Sequence, residues 1–345
     1  VTFNITDTDP DGDTLSYEWY LDGTLTSTTD SYIFNAASGT SGVHNATVLV
    51  KDGYGGQAKR FWLLTVDANL VMPFDTNATP AVDYAGFDNN GTVNSATWTP
   101  NGKIGGAYIF DGIDDYIRIE DSVNLSGTGT WDQLTIEFWL NVTANQNGKK
   151  IIAKRGPSSG TYSYQIGFQS TSTNPNPNIL YFDVWNPTIY EVEYSTSLSL
   201  NTWYHIVCVY QSGIGSRIYI NGVNMTLTIK SGSGSGNIAA ARGQALFIGC
   251  RNGTASPTYP PIDFFNGMID ELRIYPKALS QTQINQSYYQ TMTLVSSPPA
   301  AFVQWTGAEL AFTSALYTLP LIFYAFTLLK TKKKRKILFS SPLSF

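Results

Sequence analysis

NTWYHIVCVYQSGIGSRIYINGV, residues 201–223, decides the fold. From Trp203 to Tyr210 both faces of the run are apolar or aromatic, which predicts a central strand of a β-sandwich, buried on both sides. Upstream, LTIEFWLN (134–141) alternates. Leu134, Ile136, Phe138 and Leu140 face one way, and Thr135, Glu137 and Trp139 the other. The whole chain agrees with an all-β reading. Of 345 residues 14% are aromatic and only 14% charged. Gly, Asn, Ser and Thr abound, a composition suited to short strands and polar turns. The length allows two or three domains. The net charge of −5 conceals an asymmetry, because six of the 21 basic residues fall between Lys330 and Lys336. The acidic remainder is poorly suited to phosphate backbones, so no nucleic-acid partner is expected.

Ordered pieces around this centre resemble the laminin-G-like/concanavalin-A-like jelly-roll. GGAYIFDGIDDYIRI (105–119) looks like an opening hairpin, and LTIEFWLN and KKIIAKRG (149–156) follow it. Residues 201–223 look like the central hairpin and ALFIGCRNG (245–253) comes next. NGMIDELRIYPKALSQTQI (266–284) resembles the closing strand and short helix. Ser280 opens that helix with Ser-x-x-Gln, a capping box. Residues 1–67 alternate with period two around Asp-Gly turns. They resemble a PKD-type or cadherin-like repeat, an Ig-like sandwich with Trp19 as core anchor; the first strand of such repeats is missing, and Val1 already lies in a strand-like run, so an N-terminal truncation is expected. The expected order is thus an Ig-like module (1–67), a linker leading into the next module (68–100), a jelly-roll (101–289, or starting near 71), a juxtamembrane linker (290–309), a transmembrane helix (310–329) and a basic cytoplasmic tail (330–345).

The membrane expectation rests on LAFTSALYTLPLIFYAFTLL (310–329), 20 residues without a charge. As a helix it would span about 30 Å, the thickness of a bilayer core. Lys330 to Lys336 follow as a positive-inside signal, which predicts a single-pass protein of the cell membrane with its ectodomain outside. Nine glycosylation sequons, at Asn4, Asn45, Asn77, Asn90, Asn124, Asn141, Asn224, Asn252 and Asn285, fit an exterior surface and suggest an archaeal or eukaryotic cell more than a bacterial one.

Candidate chemistry is sparse. Glu191 and Glu193 share one face of YEVEY, roughly 7 Å apart. The third carboxylate of the E-x-D-x-x-E glucanase strand is absent. They read as a polar outward face that glutamines could replace without effect. His44 and His205 lie in different modules, and His205 reads as structural. Cys208 and Cys250 read as two small core residues or as one bridge. Two calcium sites are considered. The jelly-roll resemblance implies neighbouring first and last strands, so Asp111, Asp114 and Asp115 could join Asp270; Asp7, Asp9, Asp11 and Asp13 in DTDPDGD offer a second cluster of hard oxygens. The alternative for the first set is a plain turn at Asp111, with Asp270 bonding backbone amides. Trp185, Tyr190, Tyr194 and Tyr259 are candidate stacking platforms for sugar rings. The expected function is non-catalytic adhesion to a glycan or surface protein. Alternatives are a structural envelope component, or the anchoring end of a larger extracellular hydrolase.

Overall fold

The computed structural model describes residues 2–5, 7–8, 12–35, 41–54, 56–126, 131–158, 161–170, 178–186, 188–253, 260–294, 301–305 and 338–339. They form two compact units, Val1–Val66 with Ala300–Phe345, and Asp67–Pro299.

The first unit is built on a five-stranded sheet in the order Ala301–Trp305, Gln57–Val66, Gly42–Lys51, Ser16–Leu21, Thr24–Ser27. Its last hairpin turns at Asp22-Gly23, where both residues have positive φ. That is the mirror-image turn whose twist matches paired strands. Trp19 is fully buried, its ring 5.6 Å from Trp62.

Two expectations are corrected here. Among the described residues no helix is long and apolar enough to cross a membrane, and residues 310–329 lie outside them. The strands flanking that stretch also argue against the span. Ala301–Trp305 pairs with Gln57–Val66, and Leu338–Phe339 pairs with Asp7–Thr8. Both partners belong to the same unit, whereas a single crossing would leave them about 30 Å apart on opposite sides of a bilayer. The C-terminal transmembrane helix is therefore withdrawn from the fold class, and with it the single-pass cell-membrane placement and the cytoplasmic tail.

The second unit is a sandwich of two eight-stranded antiparallel sheets. The first sheet runs Thr97–Thr99, Ala107–Asp111, Asn266–Tyr275, Gln133–Val142, Trp203–Gln211, Gly215–Ile220, Val223–Asn224, and Leu70–Met72 adds to Asn266–Tyr275. The second runs Thr228–Ser231, Ile189–Ser197, Ile179–Trp185, Tyr162–Phe168, Lys150–Arg155, Leu246–Ile248, Tyr116–Ile119, Gly91–Asn94. Residues 68–100 thus supply strands to both sheets instead of linking modules. The expected opening hairpin is also corrected: Ala107–Asp111 lies in the first sheet and Tyr116–Ile119 in the second, so Asp111 to Asp115 is a corner between sheets.

The alternation read in residues 134–140 holds. Leu134, Ile136, Phe138 and Leu140 enter the core between the sheets, where they meet Phe168, Leu180, Phe182, Ile206 and Cys208. Thr135, Glu137 and Trp139 point away, and they too are buried, on the side of the Gln281–Leu294 helix. Ser280 caps that helix, with Gln283 N donating to Ser280 Oγ and Ser280 N to Gln283 Oε1 at 2.8 Å. Cys208 and Cys250 are both free and buried. Replacing Phe138 by Ala in this close-packed centre should destabilise the jelly-roll by about 3–5 kcal/mol. Urea denaturation followed by near-UV circular dichroism checks this.

Candidate functional site

Strand alternation divides the second sheet between core and outer face. Leu180, Phe182, Val184, Tyr190 and Val192 turn into the core. Their neighbours Tyr181, Asp183, Trp185, Glu191 and Glu193 therefore occupy the opposite face. The register brings them together: Asp183 lies opposite Glu191 on one side and Gln165 on the other, and Tyr181 lies opposite Glu193.

Two features mark this face. At one end, Tyr162 meets Trp185 edge to face at 5.2 Å, and the Arg155 guanidinium stacks on Tyr162 at 3.8 Å. These three, with Gln165, Asp183 and Ile189, line a shallow hollow. Beside it runs a polar ribbon. Arg155 Nη1 donates to Gln165 Oε1 at 3.0 Å, Gln165 Nε2 to Asp183 Oδ2 at 2.6 Å, and Gln169 Nε2 to Glu191 Oε1 at 2.6 Å. Burial pushes the Asp183 carboxyl up to about 7, and the charge and hydrogen bond of Glu191 push the same way. Burial pulls the Lys150 ammonium, 5.3 Å over the Tyr181 ring, down to about 8.

Of the four expected platforms, Trp185 stands on this face, partly exposed. Tyr190 is a correction: it is buried, its ring 6.3 Å from Tyr210. Tyr194 packs half-buried against the core. Tyr259 lies outside the described residues. Sequence reasoning missed Arg155, Tyr162, Gln165, Tyr181 and Asp183. The last two lie in ILYFDVW, where apolar residues on both faces hide the period.

Of the first set of expected calcium ligands, Asp111, Asp114 and Asp115 come together and Asp270 does not join them. Asp111, Asp114 and Asp115 form a tight carboxylate group at the inter-sheet corner. Asp111 Oδ1 accepts from Ile113 N and Asp115 Oδ2 from Asp111 N, as turn carboxylates do. Asp270 is elsewhere, because it is Asn266, four residues earlier, that pairs with Asp111. Its partner is Asp75. Asp270 Oδ2 accepts from Ile104 N at 2.9 Å and Asp75 Oδ1 from Gly106 N at 3.1 Å, so two carboxylates grip one loop. Burial raises both, Asp75 to about 6. Asp270 Oδ1 is buried, and the backbone N–H groups of Ile104 and Glu271 both favour the ionised form of this carboxyl. In the other set Asp9 and Asp11 are outside the described residues, as is the side chain of Asp7; Asp13 is partly exposed.

His205 is structural, as read. Its Nε2 lies 3.2 Å from Glu137 Oε1, which also takes Arg273 Nη1 at 3.3 Å and the Ser287 hydroxyl. The His205 ring is covered from the helix by Tyr288, which stacks on both Trp139 and His205. His44 Nδ1 meets Asp22 Oδ2 at 2.7 Å in the other unit. Among the sequons, Asn77, Asn90 and Asn224 are exposed, Asn45, Asn124, Asn252 and Asn285 are intermediate, and the Asn4 side chain is outside the described set. Asn141 is buried and cannot carry a glycan in the folded chain.

Residues 111–285 match the family model described as the concanavalin A-like lectin/glucanases superfamily, and residues 1–65 match a bacterial Ig domain. No curated protein matches the chain. Among similar solved structures is domain 4 of AbnA, a GH43 extracellular arabinanase from Geobacillus stearothermophilus, in complex with arabinotriose. It is 19% identical with a TM-score of 0.48, over 64% of this chain and 98% of that one. The binding domain of Paraclostridial mosquitocidal protein 1 is 13% identical with a TM-score of 0.49, over 65% and 52%. The binding domain of botulinum neurotoxin serotype D/C is 17% identical with a TM-score of 0.47, over 65% and 52%. The chain spans about half the length of these two toxin domains, and at such scores the likenesses do not bear on its ligand. The family match, however, takes in just over half of the residues: the chain belongs to the concanavalin A-like lectin/glucanases superfamily.

Proposed function

We propose that the second unit binds neutral glycan chains across the outer face of its second sheet and does not cleave them. The observation that carries this reading is the Trp185–Tyr162–Arg155 cluster beside the Gln165–Asp183 ribbon. Sugar recognition uses this pairing, an aromatic surface for the apolar face of a ring and fixed amides and carboxyls for its hydroxyls. The lectin character of the superfamily supports it. Hydrolysis fits poorly. Glycosidases hold two carboxyls about 5–5.5 Å or 6.5–9.5 Å apart so that sugar or water fits between them, whereas Asp183 is buried and each of Asp183 and Glu191 is tied to a glutamine, Gln165 and Gln169.

A structural calcium ion is proposed as well, held by Asp75 and Asp270 and not by the corner acids. The burial of Asp270 Oδ1, on a carboxyl close enough to Asp75 for the two charges to oppose each other, supports this placement. A divalent cation there would neutralise two buried carboxylates and tie the loop at 102–106 to the closing strand.

Affinity electrophoresis in gels cast with starch, mixed-linkage β-glucan, mannan or arabinan tests the first proposal. At least one polysaccharide should retard the chain, and Trp185→Ala or Arg155→Ala should weaken retardation about tenfold, with Tyr190→Phe as a neutral control. Absence of retardation in every gel, or release of reducing sugar, overturns it. For the ion, thermal unfolding should be several degrees higher in millimolar Ca²⁺ than in EGTA, since a ligand that binds only the folded state at a hundredfold excess over Kd adds about 2.7 kcal/mol. Asp270→Ala should abolish the difference and Asp114→Asn should leave it; the reverse pattern would return the ion to the corner.

A further inference from the structure

The hollow on the outer face ends at a hairpin tip. Trp185 pairs with Ile189, and Asn186 N donates to Thr188 O at 2.8 Å across the turn. A tip of this kind has only its own ladder to hold it, and connecting segments are ordinarily the most mobile parts of a sheet. A ring that must be stilled when a ligand arrives loses affinity by it. The segment from 231 to 239 braces this tip. Ser231 Oγ donates to Ile189 O at 3.1 Å, and Ala239 N donates to Trp185 O at 2.7 Å. Both sides of the hairpin are thereby tied to one strap.

The strap begins SGSGSG (231–236), a composition that by itself reads as a flexible connector. Here it is fixed on both sides. A Cβ on Gly232 would stand 2.3 Å from Ile189 O, and one on Gly234 2.4 Å from Gly215 Cα, so these glycines let backbone lie directly against backbone. Gly213 N donates to Gly234 O at 2.9 Å, and Gly236 N to Ser212 Oγ at 2.9 Å. At the centre is Asn186, which is 2% exposed. Its Nδ2 gives one hydrogen to Ser233 O at 3.0 Å and the other to the Tyr210 hydroxyl at 2.6 Å. Tyr210 in turn donates to Gly236 O at 2.6 Å. Tyr210 belongs to Trp203–Gln211 of the first sheet and is buried in the core between the sheets. A continuous run of directional bonds thus links the first sheet, the strap and the tip that carries Trp185.

We propose that Asn186 and Tyr210 are positioning residues for the glycan face: through the strap they hold Trp185 in place against Tyr162 before any ligand arrives. This rests on the glycan reading for what the ring binds, not for how the ring is held. Neither residue touches sugar, since Asn186 is buried and Tyr210 lies in the core. They act on the face only through the backbone of the tip. A residue that merely stabilised the sandwich would change its unfolding and leave Trp185 where it stands. A positioning residue moves the ring in the folded chain.

Tyr210→Phe removes both bonds of the hydroxyl and almost no volume, so the chain should still fold. In the full chain labelled with 5-fluorotryptophan, the ¹⁹F resonance of Trp185, assigned with Trp185→Phe, should shift or broaden in Tyr210→Phe and in Asn186→Ala. Those of Trp19 and Trp62 in the first unit should stay in place. Ser235→Ala, which removes an exposed hydroxyl bonded only to Ser233 Oγ, should move none of them. In the polysaccharide gels, run where every variant is folded, Tyr210→Phe should weaken retardation about fivefold, the worth of one ordinary hydrogen bond. In a chain that already carries Trp185→Ala it should weaken retardation no further, as two changes acting through one ring are not additive. An unmoved Trp185 resonance in both variants overturns the positioning. A moved resonance with full retardation, or an equal loss with and without Trp185, overturns its part in binding. No retardation of the natural chain defeats the glycan reading, while the resonance still decides how the ring is held.

Discussion

The jelly-roll depends on where its closing strand lies. Asn266–Tyr275 is the last strand of the unit in sequence, yet it sits inside the first sheet, with Ala107–Asp111 and Leu70–Met72 on one edge and Gln133–Val142 on the other. Without it the sheet falls into three pieces, with Leu70–Met72 left alone, and the core residues lose their cover. Ile269, Leu272 and Ile274 also belong to that core, so backbone pairing and apolar burial are lost together. The same strand supplies Asp270 to the loop at 102–106 and Arg273 to Glu137. A residue with positive φ, Glu271, lies between them, where the register with Gln133–Val142 shifts. The bulge lets Asp270 and Arg273 serve different neighbours.

The two sheets use their outer faces in opposite ways. On the first, a capped helix covers Glu137, His205 and Arg273, and the charges are spent on one another. A buried pair of this kind contributes little net stability, but truncating one partner leaves the other charged and dry, at about 3–5 kcal/mol. On the second, among the described residues, no helix covers the polar ribbon, and the aromatic end beside it stays partly exposed. Closure on one side and the partly exposed Trp185 end on the other are why the proposed binding is put on the second sheet.

How much of this was legible depends on distance along the chain. Alternation in Leu134–Leu140, the doubly apolar run from Trp203 and the Ser280 capping box are local, and each holds. The glutamates of YEVEY were placed on one face, and they share it; the same period sends Tyr190 inward, which contradicts its choice as a platform. Asp183 could not be read because its strand is apolar on both faces, and the partner that gives it meaning lies on the next strand. Asp75 meets Asp270 only through sheet order, which no local pattern encodes. Asp111-Gly112 reads as a hairpin turn, and the positive φ of Gly112 does make a sharp bend, but whether a bend returns to the same sheet or crosses to the other is settled by the strands that follow. The apolar stretch at 310–329 met every local rule for a span, and it is strand partners outside that stretch that oppose it.

Leu272 pairs with Met72. A chain made from its N-terminus must therefore hold the slot beside Met72 open through the synthesis of some 200 further residues. Until the closing strand clears the ribosome, Ala107–Asp111 and Gln133–Val142 present bare edges to whatever other chains are near. The price of so non-local a sheet is thus levied during translation, as a long interval in which a chaperone or a slow, dilute supply of chain is what keeps the half-built sandwich from its neighbours.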